Sequence, residues 1–323
     1  MKLFITGITG YIGSRLAEAA VAKGYKVHAL VRQNRVNENS NAITYFTGDV
    51  TDYDSVLNAM RGCDYVMHAA AITRLWDKNS SQLYHINVGG TRNILKAAKE
   101  LGVKRLVFTS SCAVLGPSDQ KPLAEEDPRY SAFENDYEVS KYCAEELVKE
   151  YSRSGVYSVI VAPPRVYGPG PQGKGNVIGK YIMKVLKQKW VFIPSAKEIK
   201  GNYAYIDDVI EGHFLAMHKG LSGEKYILGG ENISYEAFYE SIKQHASQPI
   251  NYISVPKWGM KIYSLFVYGL SRITGHHTHI SPALIDRLFQ NRTITCKKAI
   301  RQLGYHVTPF HEGMRLTIHH LKS

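Results

Sequence analysis

A strand, a glycine turn and a helix at the start of the chain constrain its fold more than any other feature. Lys2-Leu3-Phe4-Ile5-Thr6 is a short apolar run that breaks into Gly7-Ile8-Thr9-Gly10-Tyr11-Ile12-Gly13, and a helical pattern of Leu16, Ala17, Ala20 and Val21 follows. That order is the one that makes a dinucleotide site. The three glycines have different mechanical roles. Gly7 takes the backbone angles of a tight turn, Gly10 lets a pyrophosphate approach the main chain, and Gly13 lets helix and strand pack closely. The diphosphate would rest on the free N–H groups and positive dipole end of the helix. No secretory leader fits ahead of a strand beginning at Lys2, and a cytoplasmic location is expected.

Strands are expected over 25–31, 43–46, 64–68, 104–109 and 156–161, alternating with helices over 52–60, 80–101 and 136–154. Repeated β-α units at these spacings imply a parallel sheet covered by helices on both faces. After Pro163 the pattern loosens into Gly- and Pro-rich loops, then shorter helices and a few strands such as 225–228. The expected fold is therefore α/β, a doubly wound parallel sheet of Rossmann type with a smaller C-terminal substrate-binding lobe. Residues 1–165 form the dinucleotide-binding part and 166–323 mostly the lobe, with a segment around 203–230 returning to the sheet. Four cysteines lie far apart without a C-x-x-C pair, which reads as reduced thiols and neither a disulfide framework nor a zinc site. A net charge of +12 invites a nucleic-acid reading, but the lysines and arginines are scattered and form no basic stripe. A solvated basic surface that attracts small anions is the expectation, with no nucleic-acid partner.

The glycines read G-x-x-G-x-x-G behind Thr6, not G-x-G-x-x-G, and this resembles the extended form of the short-chain dehydrogenase/reductase superfamily. Gly48-Asp49-Val50 matches the family's adenine-contacting pair, His68-Ala69-Ala70-Ala71 its small-residue wall beside the cofactor, and Asn87-Val88-Gly89-Gly90-Thr91 its next helix motif, although Asn87 also reads as a structural amide. The resemblance implies cofactor contacts from Gly7, Thr9, Gly10, Tyr11, Ile12 and Gly13, from Asp49 and Val50, from Ala69, Ala70 and Ala71, and from Pro163 and Val166. A dinucleotide fold that prefers NAD usually ends its second strand in a carboxylate that bonds the ribose hydroxyls. Here the strand ends in Arg32-Gln33-Asn34-Arg35, with no carboxylate until Glu38. A guanidinium binds a 2′-phosphate in a forked, charge-assisted pair, so NADPH is expected through Arg32 and Arg35, with NAD as the alternative.

A ketone accepting hydride needs a proton donor at its oxygen, and a phenol needs a neighbouring cation to act as a base near neutrality. Tyr137 and Lys141 are four apart in an expected helix, hence on one face. The spacing alone proves nothing, because Tyr239 and Lys243 share it. Only the first pair follows a strand end, 107–111, that supplies a hydroxyl, and active sites of open parallel sheets lie outside such ends. Tyr239 reads as a core aromatic and Lys243 as a solvated lysine. The expected catalytic set is Ser111, Tyr137 and Lys141, which also contact the cofactor through Tyr137 and Lys141. Ser111 matches the family's catalytic serine, and Ser110 is the alternative.

Sugar-nucleotide epimerases and dehydratases of this superfamily commonly carry Asn-Val-Tyr-Gly-Pro after the sixth strand and an Arg shortly before a Val-Asp-Asp segment. Here Arg165 stands where the Asn would be, and Gly201 where the Arg would be. The chain looks closer to the dihydroflavonol-reductase-like and hydroxysteroid-dehydrogenase-like branch, including bacterial proteins labelled hopanoid-associated sugar epimerases. The expected activity is reduction of a small-molecule ketone or aldehyde, with Trp76, Arg165, Tyr167 and Tyr203 at the substrate. The alternatives are a nucleotide-sugar epimerase or dehydratase with tightly held NAD, and a non-catalytic NAD(P)-binding sensor. Over 258–273, Ile262, Leu265, Phe266, Leu270 and Ile273 share one helical face. A helix that caps the substrate lobe or packs internally is expected, and peripheral contact with a membrane is the alternative. No metal is expected at His276, His277 and His279 or at His319 and His320, which lack partnering carboxylates. A homodimer is left open.

Overall fold

The computed structural model describes the chain except residues 34, 36, 37, 39, 74–79, 172–174, 197, 275–281 and 323. Its strands are β1 (Lys2–Thr6), β2 (Lys26–Val31), β3 (Ile43–Thr47), β4 (Tyr65–His68), β5 (Arg105–Thr109), β6 (Ser158–Ala162), β7 (Arg165–Tyr167), β8 (Trp190–Pro194), β9 (Lys200–Tyr205), β10 (Lys225–Ile227), β11 (Glu231–Ser234) and β12 (Asn251–Val255). Its helices are α1 (Tyr11–Ala22), α2 (Tyr53–Met60), α3 (Ser80–Tyr84), α4 (Thr91–Glu100), α5 (Asp136–Arg153), α6 (Val177–Leu186), α7 (Ile206–Lys219), α8 (Tyr235–His245), α9 (Lys257–Thr274), α10 (Pro282–Leu288), α11 (Lys297–Leu303) and α12 (Phe310–Lys322).

Seven strands form one sheet in the order β10-β6-β5-β4-β1-β2-β3, every pair parallel. β6 is buried along its whole length and β1 and β5 nearly so, which explains why they lack an alternating pattern. One apolar core, containing Val56, Ile94, Leu95 and Val148, lies under α2, α4 and α5. The other runs from Leu3, Ile5 and Leu16 through Val209 and Phe214 to Phe238 and Phe310, so the sheet and the lobe share it. The chain order reverses between β1 and β4, and the crevice outside their C-terminal ends is where such sheets bind ligands. The lobe adds a three-stranded sheet, β11-β9-β7, and a parallel pair, β12-β8.

Two expectations needed correction. The single helix over 80–101 is three pieces, with a π-helical turn from His85 to Gly90 between α3 and α4. The physical reason is crowding: a Cβ on Gly90 would lie 2.7 Å from Val50 Cγ2, so the wider turn lets the backbone pass over Val50 and turns Asn87 inward. Helix α9 does not pack its apolar stripe inside. Trp258, Ile262, Leu265, Phe266 and Leu270 are exposed, while Ser264 is the residue buried beneath. No described helix is long and apolar enough to cross a membrane.

Candidate active site

Gly7 has φ +77°, and a Cβ there would lie 2.7 Å from the Ala69 and Ala70 backbone. A Cβ on Gly13 would lie 2.1 Å from the Gly7 carbonyl oxygen. The turn is thus wedged between β1, α1 and the exit of β4, whereas a Cβ on Gly10 would meet only the Gly7 oxygen at 3.2 Å. Helices α2, α5, α6 and α8 are capped by the side chains of Asp52, Asn135, Asn176 and Ser234. Helix α1 begins at Gly10 with no side-chain cap and no acidic residue in its first turn. Its N–H groups and dipole are left for an anion, which suits a dinucleotide pyrophosphate. Thr9 is exposed beside the turn and Ile12 half-buried behind it. Tyr11 is buried instead, its hydroxyl donating to the Gly168 carbonyl at 2.9 Å, so it fastens the turn to the lobe.

A directed chain of hydrogen bonds sets this turn against the catalytic helix. The Ala70 N–H donates to Thr6 Oγ1 (3.2 Å), Thr6 pairs with His68 Nδ1 (2.7 Å), and His68 Nε2 pairs with Thr91 Oγ1 (3.1 Å). Thr91 in turn donates to the Asn87 carbonyl at 2.6 Å. Burial holds His68 down to about 3, so the ring is neutral. The Asn87 amide accepts from Ile72 N–H (2.8 Å) and donates to Ile72 O and Ser140 Oγ (both 3.0 Å), and Ser140 donates to the Tyr137 carbonyl. Asn87 is therefore a structural amide that clamps the loop after β4, and with it Ala69, Ala70 and Ala71, to α5.

Ser111 lies two residues beyond β5, where its hydroxyl accepts from the Ala113 N–H at 3.2 Å and bears on the Tyr137 phenol, lowering its pKa. Ser110 turns the other way and donates to Glu145, itself paired with Lys225. Burial raises the Tyr137 phenol above its usual value, against the opposing pull of Ser111 and of Arg287, so it keeps its proton at neutral pH. Lys141 lies one turn further along α5, donates to the Thr109 carbonyl at 2.7 Å and sits 4.2 Å from the Phe108 ring centroid. Burial, partly offset by Glu145, brings its ammonium down to about 7. Arg287 is a cation that lowers the Tyr137 pKa, while Lys141 donates to the strand-end carbonyl.

Sequence reasoning missed the ion cage beneath this site. Glu138, fully buried beside Tyr137, accepts from Arg287 at 2.6 Å and from Arg129 at 2.7 Å. Glu134 pairs with Arg287 and Arg292. Arg287 and Arg292 lie about 150 residues from these carboxylates along the chain, and no short motif marks them.

Arg165 is half-buried and points its guanidinium into the space left by Gly201: a Cβ there would lie 1.5 Å from Arg165 Nη1. Its charge sits 5.4 Å from the Tyr203 ring centroid, and no ion pair holds it among the described residues. The two departures from the sugar-nucleotide pattern are thus one change, since the arginine needs the glycine. Tyr203 is buried against Phe238, with Arg165 over it, and so offers a substrate little surface. Tyr167 is fully buried, bonds the Phe310 carbonyl at 3.3 Å and is a core residue, not a cleft wall. Trp76 lies outside the described residues.

Arg32 is exposed directly after β2 and makes no ion pair among the described residues, whereas Arg35 is paired with Glu38 at 3.1 Å. Asp49 is tied to Thr51 at 2.9 Å and Val50 is buried under Gly90. Pro163 is buried, its carbonyl accepting from Cys112 N–H, and Val166 is half-buried nearby. Tyr239 is buried against Tyr181 and Lys243 is exposed, as core and solvated residues. All four cysteines are free. His319 and His320 are exposed, and no described group of His, Cys, Asp and Glu could hold a metal; His276, His277 and His279 lie outside the described residues.

Residues 3–229 match the model of the NAD dependent epimerase/dehydratase family. A Synechocystis protein named as a dihydroflavonol 4-reductase is 30% identical, with 98% of this chain and 93% of that protein covered. Sterol demethylase protein B of Methylococcus capsulatus is 29% identical over 79% of this chain and 78% of its own. Among solved structures, the Thermus thermophilus UDP-glucose 4-epimerase in complex with NAD superposes with a TM-score of 0.77 at 25% identity, covering 100% of this chain and 99% of that one.

Proposed function

The chain belongs to the NAD dependent epimerase/dehydratase family and is an enzyme of NAD(P)-dependent alcohol and carbonyl chemistry, and on that premise we propose that it reduces a ketone or aldehyde with NADPH. The observation that carries the reading is a protonated, buried Tyr137 beside Ser111, with Lys141 at the carbonyl of the same strand end. The turn, the α1 N-terminus and the wall at Ala69–Ala71 would hold the dinucleotide, with Arg32 at its 2′-phosphate. A bound nicotinamide supplies hydride to the carbonyl carbon. Ser111 orients the carbonyl oxygen by a hydrogen bond, and Tyr137 donates its proton to the alkoxide oxygen as charge develops there. Lys141, held at about 7 in the free protein, sits at the Thr109 carbonyl, from which a ribose hydroxyl could recruit it. The cage of Glu138 and Arg287 keeps α5 and α10 together, and Arg287 eases the loss of the Tyr137 proton.

Two facts favour a carbonyl compound over a nucleotide sugar. Arg165 and Gly201 replace the paired anchors of the sugar-nucleotide enzymes, and Arg165 fills the space an arginine at 201 would need. The named reductase relative points the same way. The likeness to an epimerase holding NAD favours the second reading, a nucleotide-sugar epimerase or dehydratase. A turnover screen separates them: NADPH with aromatic, steroidal and long-chain ketones on one side, UDP- and GDP-sugars with NAD on the other. Ketone turnover with stoichiometric NADPH oxidation is expected; sugar epimerisation or dehydration without net cofactor oxidation would overturn the reductase reading.

A further inference from the structure

Helix α9 is built inside out. Positions 258, 262, 266 and 270 follow one another at intervals of four and carry Trp, Ile, Phe and Leu, one stripe of the helix. That stripe faces outward, with Trp258 69% and Phe266 70% exposed, while the residue fully buried on the other side is Ser264. The helix packs on α10, to which Lys257 and Lys261 are tied through Asp286, both at 2.9 Å. β12 runs into α9 through Pro256, and its Ile253 stands opposite Phe192 of β8 in register. Phe192 (64% exposed) and Trp190 (58% exposed) are further large apolar side chains left outside, on the strand pair that leads into α9. Scattered apolar residues on a surface need no explanation, but a stripe of large ones along one helix does.

Charge selects the occupant. Helix α9 contains no acidic residue, and residues 177–200 carry six lysines against the single acid Glu198. Lys184, Lys187 and Lys189 are exposed and form no ion pair among the described residues. A second copy of the chain would meet this surface through a twofold axis, which sets each lysine row against a surface of the same sign. Anionic headgroups neutralise the row, and the acyl boundary takes the Trp, Phe and Leu stripe. We propose that this face docks the protein on an anionic lipid surface, with α9 lying in the interface and Lys184 of α6 and Lys187 and Lys189 of the connection to β8 at the headgroups. The assignment is independent of the reaction the active site performs.

The test uses the whole chain with vesicles of phosphatidylcholine alone and of phosphatidylcholine mixed with phosphatidylglycerol. Tryptophan emission should shift to the blue and the protein should sediment with the mixed vesicles, more weakly as salt is raised. Trp258→Ser/Phe266→Ser should lower vesicle affinity at least about tenfold while leaving NADPH titration and melting unchanged. Lys184→Glu/Lys187→Glu, at exposed positions that bury nothing, should abolish the preference for phosphatidylglycerol even if the first variant fails to fold. No emission shift and no sedimentation would overturn the proposal, as would equal binding to neutral vesicles. So would a dimer, seen by ultracentrifugation, that Trp258→Ser/Phe266→Ser splits without any vesicle binding.

Discussion

At the scale of single residues the site rests on a few positions whose roles can be separated. Tyr137→Phe removes the proton donor without removing the ring, so carbonyl turnover should fall by about 10²–10⁴ while NADPH still binds, as a fluorescence titration would read. Ser111→Ala should cost turnover, but Ser110→Ala should instead lower the melting temperature, because its hydroxyl serves the buried Glu145. Glycines separate in the same way. A Cβ at Gly7 strikes backbone at 2.7 Å, whereas one at Gly201 strikes the far end of the Arg165 side chain. Gly7→Ala should therefore unfold or badly weaken the protein, while Gly201→Ala folds and changes KM by displacing the guanidinium; equal melting losses in the two would sink the argument. Arg35 is engaged by Glu38, which leaves Arg32 as the better grip on a 2′-phosphate. Arg32→Asp should weaken NADPH binding by roughly ten- to a hundredfold, one charge-assisted bond, and leave NADH nearly unchanged.

At the scale of elements, α5 and α10 act as one unit because Arg287 bridges Glu134 and Glu138. Arg287→Met leaves Glu138 with Arg129 and Glu134 with Arg292, and should destabilise by about 1.5–3 kcal/mol, the usual worth of a hydrogen bond to a charged group. It also removes the cation that lowers the Tyr137 pKa, so the alkaline limb of the reduction profile should move to higher pH. An unchanged limb would show that the arginine only holds the helices together. The repeated β-α units and the glycine turn were legible in the sequence because local pattern and short spacing determine them, and the spacing of Tyr137 and Lys141 likewise fixes that they share one face of α5. The cage was not, since its partners meet only when the lobe folds back on the sheet. The π turn escaped for a similar reason: Gly89 and Gly90 signal an irregular helix, but only Val50, forty residues earlier in the chain, says why it widens. The outward stripe of α9 has the same period as an inward one, and periodicity does not tell which side faces the core.

At the scale of the whole molecule, two buried neutral histidines couple folding to pH. His68 joins β4 to α4 through Thr91, and His213 joins α7 to β5 through Thr109, with Nε2 at 3.0 Å from Thr109 Oγ1 and Nδ1 at 2.7 Å from the Val209 carbonyl. Burial lowers His68 to about 3 and His213 to about 4, against an ordinary 6.5. The folded pKa values thus lie below the unfolded ones, the reverse of a histidine that gains an anionic partner. Between pH 6.5 and about 4 the unfolded chain binds protons that the folded chain refuses, so stability is fully present above pH 6.5 and falls as the medium is acidified. Each group contributes about 1.4 kcal/mol per pH unit in that window, roughly 3 kcal/mol together at pH 5.5. For a chain of this length that is a drop in melting temperature of about 4 °C. Burial raises the carboxyls of Glu125 and Asp208, which opposes the trend, so the two histidines are best isolated by difference. Melting of His213→Gln between pH 7.5 and 5.5 should decline less steeply than that of the parent, by about 1.4 kcal/mol over the interval. Parallel declines in the two proteins would mean that folding leaves the His213 pKa unshifted, and a shallower decline in the parent that Thr109 and Val209 hold a charged ring.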